Sequence, residues 1–141
     1  IDMTATSDIY RKIVDAKIFI DENYHQPISL DNISKSACIS RYHFHRLFSR
    51  IYQKTPHQYL TQKRIRLAQE LLKENMLSVT EICNAVGFES SSSFSILFKK
   101  ETGSSPQSYR RYINEKKKMA HEQPRSFIPF CFLESYGQGQ Q

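Results

Sequence analysis

The chain has 141 residues, of which 39% are hydrophobic and 24% charged, with four glycines, five prolines and three cysteines. That length can bury a core without metal or disulfide support, and so little glycine and proline disfavours a turn-rich sheet fold. The net charge of +6 is unevenly placed: residues 41–118 carry fifteen basic and six acidic side chains, residues 1–40 four basic and six acidic. A basic centre suits a polyanion such as nucleic acid. A membrane is not expected as a partner, because no long apolar segment or Lys-rich amphipathic helix stands out and the run Phe127–Leu133 is far too short to cross a bilayer. Cys38, Cys83 and Cys131 are odd in number and widely spaced. They argue against a disulfide framework and a CxxC zinc site and fit a reducing cytoplasm, so a cytoplasmic protein without metal or cofactor is expected. Ile1 and Met3 are compatible with two non-native residues before a native start at Met3, or with a piece of a longer chain.

In chain order, Ser7 reads as the cap of a first helix reaching about Asn23, with Ile9, Ile13, Ala16 and Ile20 at helical spacing. Tyr24 to Pro27 ends it. Ser29 opens a short helix, and Ser40 caps another over 41–51. Thr55 followed by Pro56 is a cap with proline at the first helical position, and opens a long helix to about Glu74. A short helix from Ser78, a turn at Gly87 and a helix beginning among Ser90 to Ser93 follow. Gly103, Ser105 and Pro106 stop and restart the chain before a last helix ending in Lys116–Lys118. Beyond Gln123, the prolines 124 and 129 and glycines 137 and 139 disfavour regular helix.

This order contains a repeat. Ser29-Leu30-Asp31-Asn32-Ile33 matches Ser78-Val79-Thr80-Glu81-Ile82. After one inserted residue, Phe44, Leu47, Phe48, Pro56 and Tyr59 match Phe94, Leu97, Phe98, Pro106 and Tyr109. The shared positions are caps, core residues and helix starts, so each copy reads as a helix-turn-helix followed by a Pro-initiated helix. Gly87 supplies the positive φ that such a turn needs; Cys38 holds that place in the first copy, so the turn there is strained or differently shaped. The expected fold is all-α, about seven helices, with a first helix-turn-helix subdomain over 7–54, a connecting helix over 55–76, a second subdomain over 77–118 and a partly apolar tail over 119–141.

Phe44, Leu47, Phe48 and Ile51 recur at i, i+3, i+4 and i+7 and face the core. Tyr42, His45, Arg46 and Ser49 lie two positions earlier, about 200° around the helix, and therefore point outward, flanked by Arg41 and Arg50. Arginine can bond guanine bidentately, and the others can reach base edges or phosphates; the plainer reading is a solvated basic face. In the second copy the outward stripe is Ser92, Ser95, Ile96 and Lys99, beside Ser90 and Ser91. The serines are either linker chemistry or donors to phosphates and bases. Ile96 either touches a thymine methyl or packs on the long helix, packing being the favoured reading. Arg110, Arg111 and Lys116–Lys118 are expected to act through phosphates or the long-range field.

The segment over residues 10–113 resembles the DNA-binding domain of the AraC/XylS family of transcription regulators. The resemblance is carried by Ile82-Cys83-Asn84-Ala85-Val86-Gly87-Phe88, Phe94-Ser95, Phe98-Lys99-Lys100 and Thr102 to Arg110. It implies two helix-turn-helix subdomains joined by the long helix, bound as a monomer to an asymmetric site on double-stranded DNA, with RNA polymerase as a protein partner. It places base contacts on Tyr42, His45 and Arg46 and on Ser91, Ser92, Ser95 and Ile96. The last commonly holds arginine in the family, so Ile96 departs from the pattern. Independently, a helix over 56–74 spans a little under about 30 Å, close to one DNA turn of about 34 Å.

Other classes fare worse. His43 and His45 lie near Cys38 in sequence but about 200° apart on a helix, and no phosphate-binding glycine loop is present, so no enzyme is expected. A non-specific architectural DNA binder would not need two differently dressed recognition helices. A protein-interaction module rests only on the run Phe127–Leu133.

Overall fold

The computed structural model describes residues 3–122, which form seven helices and, among the described residues, no strand. They are α1 (Met3–Asn23), α2 (Leu30–Ser36), α3 (Arg41–Tyr52), α4 (Pro56–Glu74), α5 (Val79–Ala85), α6 (Ser91–Thr102) and α7 (Pro106–Glu122). The expected tail, with its run Phe127–Leu133, lies outside the described residues. No described helix is long and apolar enough to cross a membrane.

The repeat is realised helix for helix. α2 and α5 each have seven residues, α3 and α6 twelve, and serines 29, 40, 78 and 90 each accept a hydrogen bond from a backbone N–H in the first turn of the helix they cap. The inserted residue falls in the second turn, which lengthens from four residues to five. At Thr55 a complete capping box forms: Thr55 Oγ1 accepts from the Gln58 N–H at 3.1 Å, and Gln58 Oε1 accepts from the Thr55 N–H at 3.0 Å.

Two cores result. Ile13, Ala16, Ile20, Ile39, Phe44, Leu47, Phe48 and Leu60 close the first, while Ile65, Ala68, Leu72, Ile82, Cys83, Val86, Phe88, Phe94 and Phe98 close the second. Leu60 belongs to one core and Leu72 to the other, so α4 is a common wall; burying side chains of this size is worth about 1.5–3 kcal/mol each. Basic side chains of α7 cover the carbonyl end of α4: Arg110 donates to Leu72 O and Leu77 O, and Lys117 to Lys73 O. Cations there complement the helix dipole and satisfy carbonyls with no partner inside the helix.

Two expected helix boundaries need correction. α1 does not begin after Ser7 but runs through it from Met3, because Met-Thr-Ala-Thr contains no residue that halts a helix. α7 does not stop at Lys118; Met119 to Glu122 prolong it by a turn. Arg110 and Lys117, expected to act through phosphates or the long-range field, also bond to α4 and the loop after it, Arg110 half-buried and Lys117 exposed. The turn at Cys38 makes the same two backbone hydrogen bonds as its counterpart and also takes a positive φ, so the strained alternative holds: φ is +57° at Cys38 and +95° at Gly87.

Candidate nucleic-acid interface

Helix α3 follows the first turn with its axis set by the buried Phe44, Leu47 and Phe48. With that face fixed, the other must meet solvent. Tyr42 is 74% exposed, and Arg41, His43, His45, Arg46 and Arg50 are exposed around it. Ser49 differs from the expected stripe: it is half-buried and its hydroxyl donates to His45 O at 2.7 Å, leaving only acceptor capacity. Arg41 is engaged by Asp31 of α2 at 3.1 Å, but both side chains are well exposed, so the pair is worth little and can be exchanged for another anion.

Helix α6 is dressed differently. Ser91 and Ser92 are exposed on its first turn, Ser95 is half-buried, and Lys99 is exposed near its end. Ile96 is 68% exposed, which overturns the favoured expectation that it packs on the long helix. Phe94 and Phe98 already fill the contact with α4 and α7, leaving the next outward position no wall to reach. The neighbouring Cys83 is buried, and burial pushes its thiol up while the Ser91 hydroxyl pulls it down. Among the described residues no group of three or more His, Cys, Asp or Glu side chains is placed to hold a metal ion.

Both helices therefore present an N-terminal turn capped by serine and an outward polar or accessible stripe, and both are mounted on one continuous helix. Residues 33–112 match the family described as helix-turn-helix domain. The chain belongs to the AraC-type family of helix-turn-helix DNA-binding domains. It is 40% identical over 86 residues to the HTH-type transcriptional regulator AlkR of Acinetobacter baylyi, covering 61% of this chain and 28% of that protein. It is 33% identical over 99 residues to the melibiose operon regulatory protein of Escherichia coli K12, covering 70% of this chain and 33% of that one. The chain thus spans about a third of the length of each of these two relatives. Among solved structures, the DNA-binding domain of AdpA in complex with a target DNA superposes with a TM-score of 0.66 at 27% identity, covering 79% of this chain and 96% of that one. The C-terminal domain of AraT, a response regulator from Geobacillus stearothermophilus, gives 0.67 at 28% identity, covering 72% of this chain and 84% of that one.

Sequence reasoning missed two residues of this AraC-type domain that hold its parts together. Arg64 donates from α4 to the carbonyls of Tyr24 and Gln26, and Asp21 receives Tyr59, Lys17 and Lys63. Arg64 has no local signature, and Asp21 has only the i,i+4 pair with Lys17. Apart from Lys17, their partners lie 38 to 42 residues away, and for Arg64 they are backbone atoms.

Proposed function

We propose that this AraC-type domain binds double-stranded DNA sequence-specifically, as the reading unit of a transcription regulator that takes two adjacent major-groove segments with α3 and α6. The observation that carries the reading is the pair of serine-capped helices held by one connecting helix about 28 Å long, near one turn of B-DNA. On α3 the reading assigns base contacts to Tyr42, His45 and Arg46, with Arg41, Ser49 and Arg50 toward the backbone. On α6 it assigns Ser91 and Ser92 to phosphates or base edges, Ser95 and Lys99 to flanking contacts, and Ile96 to apolar contact with a thymine methyl. Two readers in one chain define a site without a second copy, so the unit on DNA is a monomer and its site asymmetric. RNA polymerase is the protein partner that the family resemblance suggests, and no catalytic role is assigned.

Selection of duplexes from a random pool, followed by competition with unrelated duplex at fixed salt, tests the reading. The selected site should outcompete random duplex by about a thousandfold or more. Competition within about tenfold would favour a non-specific architectural binder instead.

A further inference from the structure

We infer that Arg64 is a positioning residue that latches the second helix-turn-helix to the loop between α1 and α2, and thereby fixes the spacing and orientation of the two recognition helices. The inference rests on the two-segment reading above, but its geometry does not. A helix shared by two cores sets how far apart two units sit. The rotation of each about that helix is set by its own packing on α4 together with whatever bridges the two sideways.

Arg64 makes that bridge from the middle of α4. Its Nε donates to Tyr24 O at 2.7 Å and its Nη2 to Gln26 O at 3.0 Å, both on the first unit. Its guanidinium carbon lies 5.8 Å from the centroid of the Phe88 ring, which belongs to the second core. Gly87 completes the fit. A Cβ at that position would stand 3.0 Å from Arg64 Nε, 3.1 Å from Tyr24 O and 3.2 Å from the His25 carbonyl carbon, so a side chain there would push the second turn back from the first unit by a few tenths of an ångström. Glycine here thus serves the approach as well as the positive φ.

The latch reaches both readers by short paths. Phe88 packs on Phe94 of α6 with ring centroids 5.2 Å apart. On the other side, Gln26 is three residues before Ser29, the cap of α2, and α2 packs on α3. Burial lowers the Arg64 pKa from its ordinary value and Glu89 opposes the shift, as befits a cation held between two units. Lysine could keep the charge there but not the planar fork that serves two carbonyls and stacks on a ring.

The test uses the full chain with Arg64→Gln and Arg64→Lys, the second serving if the first fails to fold. Residual dipolar couplings of the free protein, collected separately from amides of α1–α3 and of α5–α7, should fit one alignment tensor in the wild type and two different ones in the variants. Variants that retain a single tensor with the wild-type orientation overturn the latch, whatever happens on DNA. On a selected site, inserting one base pair between the segments should weaken wild-type binding by about tenfold, on the order of losing one base-pair reading, and variant binding by no more than about threefold. Equal discrimination by wild type and variants also overturns it, since mere support of the loop would lower stability and leave the spacing preference intact. A wild type indifferent to spacing would instead sink the two-segment reading, and the couplings would then decide the latch alone.

Discussion

Cys38 sits in the left-handed region at φ +57°, where a side chain costs about 1–2 kcal/mol that glycine does not incur. Glycine loses more entropy on folding, which takes back part of that difference. Cys38→Gly should therefore stabilise the domain by roughly 0.5 kcal/mol in urea titrations; an unchanged or lower midpoint would mean that the turn has adapted to cysteine. The reverse change, Gly87→Ala, combines φ +95° with the close approach to Tyr24 and should destabilise clearly. Much at this scale was legible in the sequence. Serines 29, 40, 78 and 90 and Thr55 act on backbone groups three residues ahead, and the paired phenylalanines follow helical spacing, so local pattern was enough. Arg64 and Arg110 were not legible, because an arginine aimed at carbonyls more than thirty residues away reads like any solvated cation. The exposure of Ile96 was not legible either: it depends on how completely Phe94 and Phe98 fill the space behind it.

Helix α1 docks on α4 through a small polar cluster at its end. Asp21 receives the Tyr59 hydroxyl and pairs with Lys17 at 2.9 Å and Lys63 at 3.3 Å. Burial pushes the Asp21 carboxyl up, yet its three hydrogen-bonding partners together draw it below the usual value. The stabilisation it gives is thus present above the ordinary carboxylate range and is lost as the pH falls through the folded value. Burial, with Asp21 adding to it, pushes the Tyr59 phenol up to about 12. Its contribution is present below the ordinary value of 10.0 and disappears as the pH rises through about 12. Asp21→Asn should cost about 1–3 kcal/mol at neutral pH and flatten the acid limb of a stability-against-pH curve. An acid limb as steep as in the wild type would place the sensitivity in other carboxylates.

Across the whole molecule, the basic charge divides into cations that build the fold and cations that face outward. Arg110 is half-buried and bonded to Leu77 O at 2.5 Å, whereas Arg111 beside it is exposed. Arg110→Gln should lower the melting temperature and leave the salt dependence of DNA binding almost unchanged. Arg111→Gln and Lys118→Gln should leave stability intact, weaken binding to all sequences alike and flatten the salt slope by about 0.9 for each true phosphate contact. The opposite pattern would show Arg110 to be a phosphate ligand after all.

The two readers differ in what they can say to a base. α3 offers an arginine fork, an imidazole and an exposed aromatic ring; α6 offers hydroxyls and the exposed Ile96. A bidentate pair discriminates by about 1–3 kcal/mol, and single hydroxyl or methyl contacts by less. The two segments should therefore be read unequally, with Arg46→Ala relaxing preference at one or two positions of the first. A complete single-base-pair substitution scan of the selected site, made on a complex of known stoichiometry, tests this most directly. It should show two clusters of sensitive positions about one helical turn apart in a 1:1 complex, with the costlier cluster erased by Arg46→Ala. A single cluster, a palindromic pattern with two chains bound, or a costlier cluster untouched by Arg46→Ala would contradict it.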